Sequence, residues 1–330
     1  MKKYQIYGIG AALVDTEAVV TNNFLSTHKI DKGLMTLVDE ERQFELLSAL
    51  SSHAFHIKRS CGGSVCNTVV AASCFGSKTF YSGKVADDED GRFFVEDLQA
   101  TGVDFHKAGA GSGTTGKCLV MVTDDAERTM NTFLGANLDL TSNEVDEPTL
   151  INSDWLYLEG YLFDRPESQA AFIRAVELCN EAGGQSSISL SDPFCVDRHR
   201  DAFHDLIANH INMLFCNEHE VLAMYGGENL QDSIINGAKY VDTLVCTAGA
   251  NGAYIANKGK IIHVPSNPVN LVDATGAGDL FAAGFLAGLS QGKSLEICGK
   301  MGNISAGEVI SSMGARPQTS LQDLFEINKL

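Results

Sequence analysis

The chain has 330 residues, with 24 Lys+Arg against 42 Asp+Glu and a formal net charge of −18. Its 44% hydrophobic and 20% charged residues are the composition of a globular protein and argue against disorder. So acidic a surface repels nucleic-acid phosphates and anionic membranes, which excludes polyanion coating but leaves room for a small anionic ligand in a locally positive pocket.

Lys2-Lys3 followed by Tyr4 to Val14 resembles a signal peptide only superficially, because Asp15 and Glu17 stand where small residues would be needed. Residues 4–9 read instead as a strand. Further strands are predicted at 79–85, 118–123, 155–158, 187–191, 213–216 and 243–247, and helices at 39–50, 65–75, 166–182, 197–208 and 230–240. Strand–helix alternation of this kind argues for right-handed βαβ units and a largely parallel sheet covered on both faces. The segment 193–199 has no assignment. Two further helices, at 278–289 and 295–312, close the chain. The regions 16–37 and 105–133 break the alternation with short segments and glycine-rich punctuation such as Gly109 to Gly113, and read as a small antiparallel sheet. No linker or repeat divides residues 1–330, so one α/β domain with a small β lid is the economical organisation. The nine cysteines form no CxxC pair and suit reduced thiols; Cys61 and Cys66 read as small buried ones. A soluble, cytoplasmic protein that binds neither nucleic acid nor membrane is expected.

The most informative stretch is Asp273-Ala-Thr-Gly-Ala-Gly-Asp279, followed by an apolar helix. Thr275 suits an N-cap, the glycines allow a sharp turn, and the first free amides would carry the positive end of the helix dipole toward an anion. Asp279 is then either the ordinary acid of a first turn or a general base beside a phosphoryl group held by those amides. Gly62-Gly63-Ser64-Val65-Cys66-Asn67 offers a second pattern. Paired glycines let a flat ligand approach the backbone, and Asn67 offers a donor and an acceptor to vicinal hydroxyls, although a turn with a helix cap would look the same.

Together these two stretches resemble the signatures of the ribokinase-like, or pfkB, family of sugar and nucleoside kinases, and the resemblance runs over essentially the whole chain. It implies a three-layer α/β/α fold with a mostly parallel sheet and a small β lid. It also implies ATP as co-substrate, with Mg2+. Asp279 would deprotonate the acceptor hydroxyl, the amides around Gly276, Ala277 and Gly278 would form the anion hole, and Gly62, Gly63 and Asn67 would hold the sugar. Asn217 and Glu220 resemble the family's NxxE element, which organises magnesium through water; alone they would read as a capped helix start. Thr247, Gly249 and Gly252 resemble its nucleotide loop, and Asn303 the residue bordering the ATP adenine. A monovalent cation is an optional further cofactor, and a monomer or a homodimer are both compatible.

Within the family, local features resemble adenosine kinase and its bacterial relatives. Asp15 follows the first strand, as the ribose-binding Asp does. Arg128 matches an arginine placed near the phosphoryl, where a cation neutralises developing charge; a surface arginine is its alternative. Tyr161 and Phe163 could stack on a purine, and core packing explains them equally well. Asp192 stands where a small or amide residue is expected. The sequence therefore predicts phosphorylation of a ribose primary hydroxyl, the 5′-hydroxyl of adenosine foremost, with a ribose, fructose or related sugar as the alternative acceptor. A nucleoside-sensing protein without catalysis would have lost the base or the anion hole. A dehydrogenase would need a GxGxxG after the first strand, and none is there.

Overall fold

A computed structural model describes residues 2–53, 55–106, 111–125 and 127–330, so Gly109 of the predicted punctuation lies outside the described residues. In chain order the first strands and helices are β1 (Tyr4–Ile9), β2 (Leu13–Val19), α1 (Asn22–Thr27), β3 (Met35–Leu37), α2 (Glu40–His53), β4 (Phe55–Gly62) and α3 (Ser64–Cys74). They continue as β5 (Thr79–Ser82), α4 (Glu89–Ala100), β6 (Asp104–Phe105), β7 (Gly116–Val122), β8 (Arg128–Phe133), α5 (Glu147–Leu150), β9 (Ser153–Glu159) and α6 (Pro166–Glu181). Next come β10 (Gln185–Ser189), α7 (Pro193–His210), β11 (Met213–Asn217), α8 (Glu218–Tyr225), α9 (Leu230–Gly237) and β12 (Thr243–Thr247). The chain ends with β13 (Ala253–Asn257), β14 (Lys260–Val264), α10 (Ala277–Ser290), α11 (Leu295–Val309) and α12 (Leu321–Ile327).

Nine strands form one sheet in the order β14-β13-β12-β11-β10-β9-β1-β5-β6, parallel from β12 to β6 and antiparallel at the β13–β14 edge. Its central strands are buried on both faces because helices cover both, as a parallel sheet requires. One core packs α6, α7, α8 and α9 on one face, and the other packs α3, α4, α10, α11 and α12 on the opposite face. This is the three-layer α/β/α arrangement the motifs implied. Helix α10 is apolar nearly all round and correspondingly buried from Leu280 to Gly288.

The second sheet has five strands in the order β3-β8-β7-β2-β4, with α1 and α2 packed on its outer face. It differs from the expected small antiparallel sheet in two ways. It gains β4, whose Lys58-Arg59 segment hid it as a strand, and its β2–β7 and β3–β8 pairs are parallel. The physical reason is connection length: between β2 and β7 the chain returns to the large domain, and such long crossovers permit parallel pairing. Eight cysteines are buried and free, and Cys74 is exposed. Among the described residues no helix is long and apolar enough to cross a membrane.

Candidate active site

The carboxyl ends of the parallel strands, the start of α10 and the inner face of the small sheet enclose a cavity of about 360 Å³. Ligand crevices of open α/β sheets form at this edge. Its lining carries five carboxylates, Asp15, Glu159, Asp164, Glu220 and Asp279, and two arginines, Arg128 and Arg198.

Asp279 sits in the first turn of α10 with both oxygens engaged. The Ser64 hydroxyl donates to Oδ1 at 2.6 Å and Asn67 Nδ2 donates to Oδ2 at 2.9 Å. Burial raises its pKa above the ordinary carboxylate range, opposed by these two donors and by the charge of Arg128. The N-cap of α10 is Gly276, at φ 77°, not Thr275 as the sequence predicted. Only glycine turns comfortably there, and Ala315 leaves no room for a side chain. Thr275 serves the buried Asp273 instead: its amide and hydroxyl donate to Oδ1 at 2.9 and 2.6 Å, and the Gly314 amide donates to Oδ2 at 2.8 Å. The turn is thus pinned from below while the exposed face of Gly278 has open space in front of it. As first-turn amides, those of Gly278 and Asp279 have no carbonyl partner within the helix.

Asp15 approaches from β2. It is 7% exposed, and its Oδ1 is buried without a hydrogen-bond partner, as is Oδ1 of Asn67. Burial and the neighbouring Glu17 push the Asp15 carboxyl up to about 8, against the opposing charge of Arg316. Gly62 lies directly under it; a Cβ there would fall 2.0 Å from Asp15 Oδ2. Gly63 is in the lining itself. The small sheet completes this wall with Met35, Leu37, Val120 and Met130, joined by Leu134 just past β8, all apolar. Arg128 enters from β8, and no carboxylate pairs with it among the described residues.

At the other end, Asn217 caps α8 and forms a reciprocal capping box with Glu220: Asn217 Oδ1 accepts from two amides at 2.9 Å, while Glu220 accepts from the Asn217 amide and side chain. Both residues line the cavity, and burial pushes Glu220 up to about 7. Thr247 also faces it from the end of β12. Tyr161 borders the cavity, with its hydroxyl donating to the Ser191 carbonyl at 3.0 Å.

Several predicted residues are elsewhere. Phe163 is 2% exposed and stacks on Phe203, with centroids 4.3 Å apart; it is core, because the turn after β9 swings it away from the cavity. Asn303 lies outside the lining and donates to the carbonyls of Val264 and Pro265 at 3.0 and 3.1 Å. Gly249 and Gly252 build the turn that joins β12 to β13, also outside the lining. Asp192 is the N-cap of α7, accepting from the Phe194 amide at 2.7 Å.

The sequence reading missed Ser64 and Glu159. Ser64 stood inside the quoted glycine motif with no role. Glu159 is fully buried and accepts from the amides of Ala11 and Val65 at 2.8 and 3.0 Å, tying β1 to α3 below the cavity; burial pushes it up to about 7. An acid closing the apolar run Trp155 to Leu158 was its available signal.

Comparison with known proteins shows the family and the fold. The family model described as "pfkB family carbohydrate kinase" matches residues 28–321. The solved structure of a "probable sugar kinase protein" from Rhizobium etli CFN 42 is similar at a TM-score of 0.94 and 35% identity, covering 100% of this chain and 99% of that one. Adenosine kinase from Sinorhizobium meliloti is similar at 0.92 and 36%, covering 99% of each chain. Adenosine kinase 2 of Arabidopsis thaliana is 26% identical over 335 residues, 94% of either chain. Two such equal structural likenesses, one to a sugar kinase and one to a nucleoside kinase, leave the acceptor to the site itself.

Proposed function

The chain belongs to the pfkB family of carbohydrate kinases, and we propose that within it this protein phosphorylates a primary hydroxyl of a ribose-containing substrate, the 5′-hydroxyl of adenosine giving AMP. One observation carries the reading. An anchored carboxylate, Asp279, shares a cavity with the unpartnered oxygens of Asp15 and Asn67 and with an apolar wall from the small sheet. Orphaned buried acceptors call for hydroxyl donors, and ribose supplies a vicinal pair. The apolar wall would be wasted on a bare sugar, whereas a purine fills it.

Asp279 takes the proton of the acceptor hydroxyl as that oxygen bonds to the γ-phosphorus of ATP, and the bond to the β-phosphate oxygen breaks to release ADP. Ser64 and Asn67 fix the carboxylate toward the acceptor, and the amides at the start of α10 together with Arg128 receive the charge of the transferring group. The residues present suit Mg2+ held through water. Among the described residues no cluster of three or more metal-ligating side chains exists, and Mg2+ bound beside nucleotide phosphates needs only one or two carboxylates, for which Glu220 with Asn217 is placed. When bound, the ion neutralises phosphate charge. The small sheet acts as the lid that keeps water from the reaction. A sugar acceptor is the second reading, favoured by Phe163, whose place in the core removes one of the two aromatics expected against a base.

The test is a panel of nucleosides and sugars with magnesium-ATP, scored for ADP release. Adenosine is expected to be turned over fastest. Turnover of sugars without any nucleoside would overturn the acceptor and leave the family standing.

A further inference from the structure

The segment 193–199, left without an assignment by the sequence, supplies a charged side chain to the cavity. Helix α7 loses helical geometry at His199, where φ is −130° and ψ 25°. The break coincides with an anchor: Arg198 Nε and Nη2 donate to Asp164 Oδ1 and Oδ2 at 3.1 and 3.2 Å, and His199 Nε2 bonds the same carboxylate. Arg198 and Asp164 both line the cavity, and the arginine side chain is 45% exposed. Arg198 is one of two cations facing five carboxylates there.

We propose that Arg198 is a second phosphate-binding arginine, which engages the donor's triphosphate from α7 in the cavity it shares with Arg128. The inference rests on reading the site as an ATP-dependent phosphotransferase. A triphosphate entering a cavity already lined by carboxylates needs more positive charge than Arg128 supplies. The guanidinium fork matches two phosphate oxygens as well as it matches a carboxylate, and a half-exposed ion pair is weak enough to be exchanged. His199 keeps its bond to Asp164 during that exchange, so the carboxylate is not left without a partner. Asp164 is accordingly a resting clamp that presents Arg198 in a fixed direction.

The experiment is isothermal titration of adenylyl-imidodiphosphate with magnesium into wild type, Arg198→Gln, Arg198→Lys and Asp164→Asn, with steady-state kinetics alongside. Arg198→Gln is expected to weaken analogue binding about tenfold or more while acceptor KM moves less than about twofold, and Arg198→Lys to restore part of the loss. Asp164→Asn is expected to bind the analogue at least as tightly as wild type, since it releases the arginine. Equal weakening by Arg198→Gln and Asp164→Asn would mean that the pair only supports the fold, and would overturn the proposal. So would analogue binding by Arg198→Gln within about twofold of wild type. A wild-type protein that binds the analogue but phosphorylates no acceptor overturns the functional reading alone.

Discussion

On the floor of the cavity, where the large sheet meets α10, carboxylates have their oxygens engaged: Ser64 and Asn67 on Asp279, two main-chain amides on Glu159. On the roof, the small sheet presents a largely apolar face, the carboxylate of Asp15, whose buried Oδ1 has no partner, and the guanidinium of Arg128. The two floor carboxylates are therefore fixed before any ligand arrives and need no reorganisation during the reaction. The roof is incomplete by design of its residues, and a hydroxyl-bearing ligand completes it. The base belongs to the first wall; the second carries most of the recognition, together with the phosphate-directed charge of Arg128.

The strongest way to break that division is Asp279→Asn. If the floor holds the base, kcat should fall by about 10³-fold while acceptor affinity changes only a few-fold, read by initial rates and by titration of adenosine. The amide keeps the size of the side chain and its hydrogen-bonding reach, so binding geometry survives. Near-normal turnover would remove Asp279 from the role of base.

Asp15→Ala tests the roof and should behave in the opposite sense. Removing the hydrogen-bonding partner of a substrate hydroxyl costs about 1–3 kcal/mol, which is on the order of 10- to 100-fold in kcat/KM for the acceptor. The KM for ATP should stay within about twofold, because no nucleotide phosphate needs Asp15. Equal losses for both substrates would show that the small sheet serves the whole cavity and not the acceptor alone.

How much of this was legible in the sequence follows the same line. Asp279 could be read because its glycines, its acid and its apolar helix are neighbours in the chain, and local spacing carries local geometry. The same holds for Asn217 and Glu220, three residues apart in one capping box. Ser64 and Glu159 act across the fold, on Asp279 and on Ala11, and no local pattern announces a contact 215 or 148 residues away. Phe163 failed as a base contact for a related reason. The aromatic pair 161 and 163 straddles a single turn, and which ring faces the cavity is decided by Phe203 on another helix. Strand β4 was hidden because an edge strand of a small sheet can carry Lys58 and Arg59, and its register is set by pairing with β2.

A pH experiment separates the two walls by stability instead of rate. Burial pushes Glu159 up to about 7 in the folded protein, against the two amides that favour its charge. Between about pH 4.5 and 7 the unfolded chain gives up a proton that the folded chain keeps. The contribution of Glu159 is thus complete below the unfolded pKa and is lost as pH rises through the folded one, at up to about 1.4 kcal/mol per pH unit. Glu159→Gln cannot ionise. Denaturant unfolding at pH 5 and pH 7 should show wild type losing about 2–3 kcal/mol more than the variant over that span. Parallel losses in the two proteins would place the proton on another group, with Asp15 on the roof the next to test.

The smallest effect is expected outside both walls. Asn303 spends its amide NH2 on the carbonyls of Val264 and Pro265, which fixes the chain leaving β14, and the residue lies outside the cavity lining. Asn303→Ala should then cost about 1 kcal/mol of stability and raise the KM for ATP less than about threefold. The two readouts are needed together, because a loosened loop near the nucleotide can change KM slightly without any direct contact. A rise of about tenfold at unchanged stability would mean that the asparagine touches the nucleotide, which is the role the family resemblance gave it. The donor would then bind partly beyond the cavity, and a third wall, built from β14 and α11, would have to be added to the two compared here.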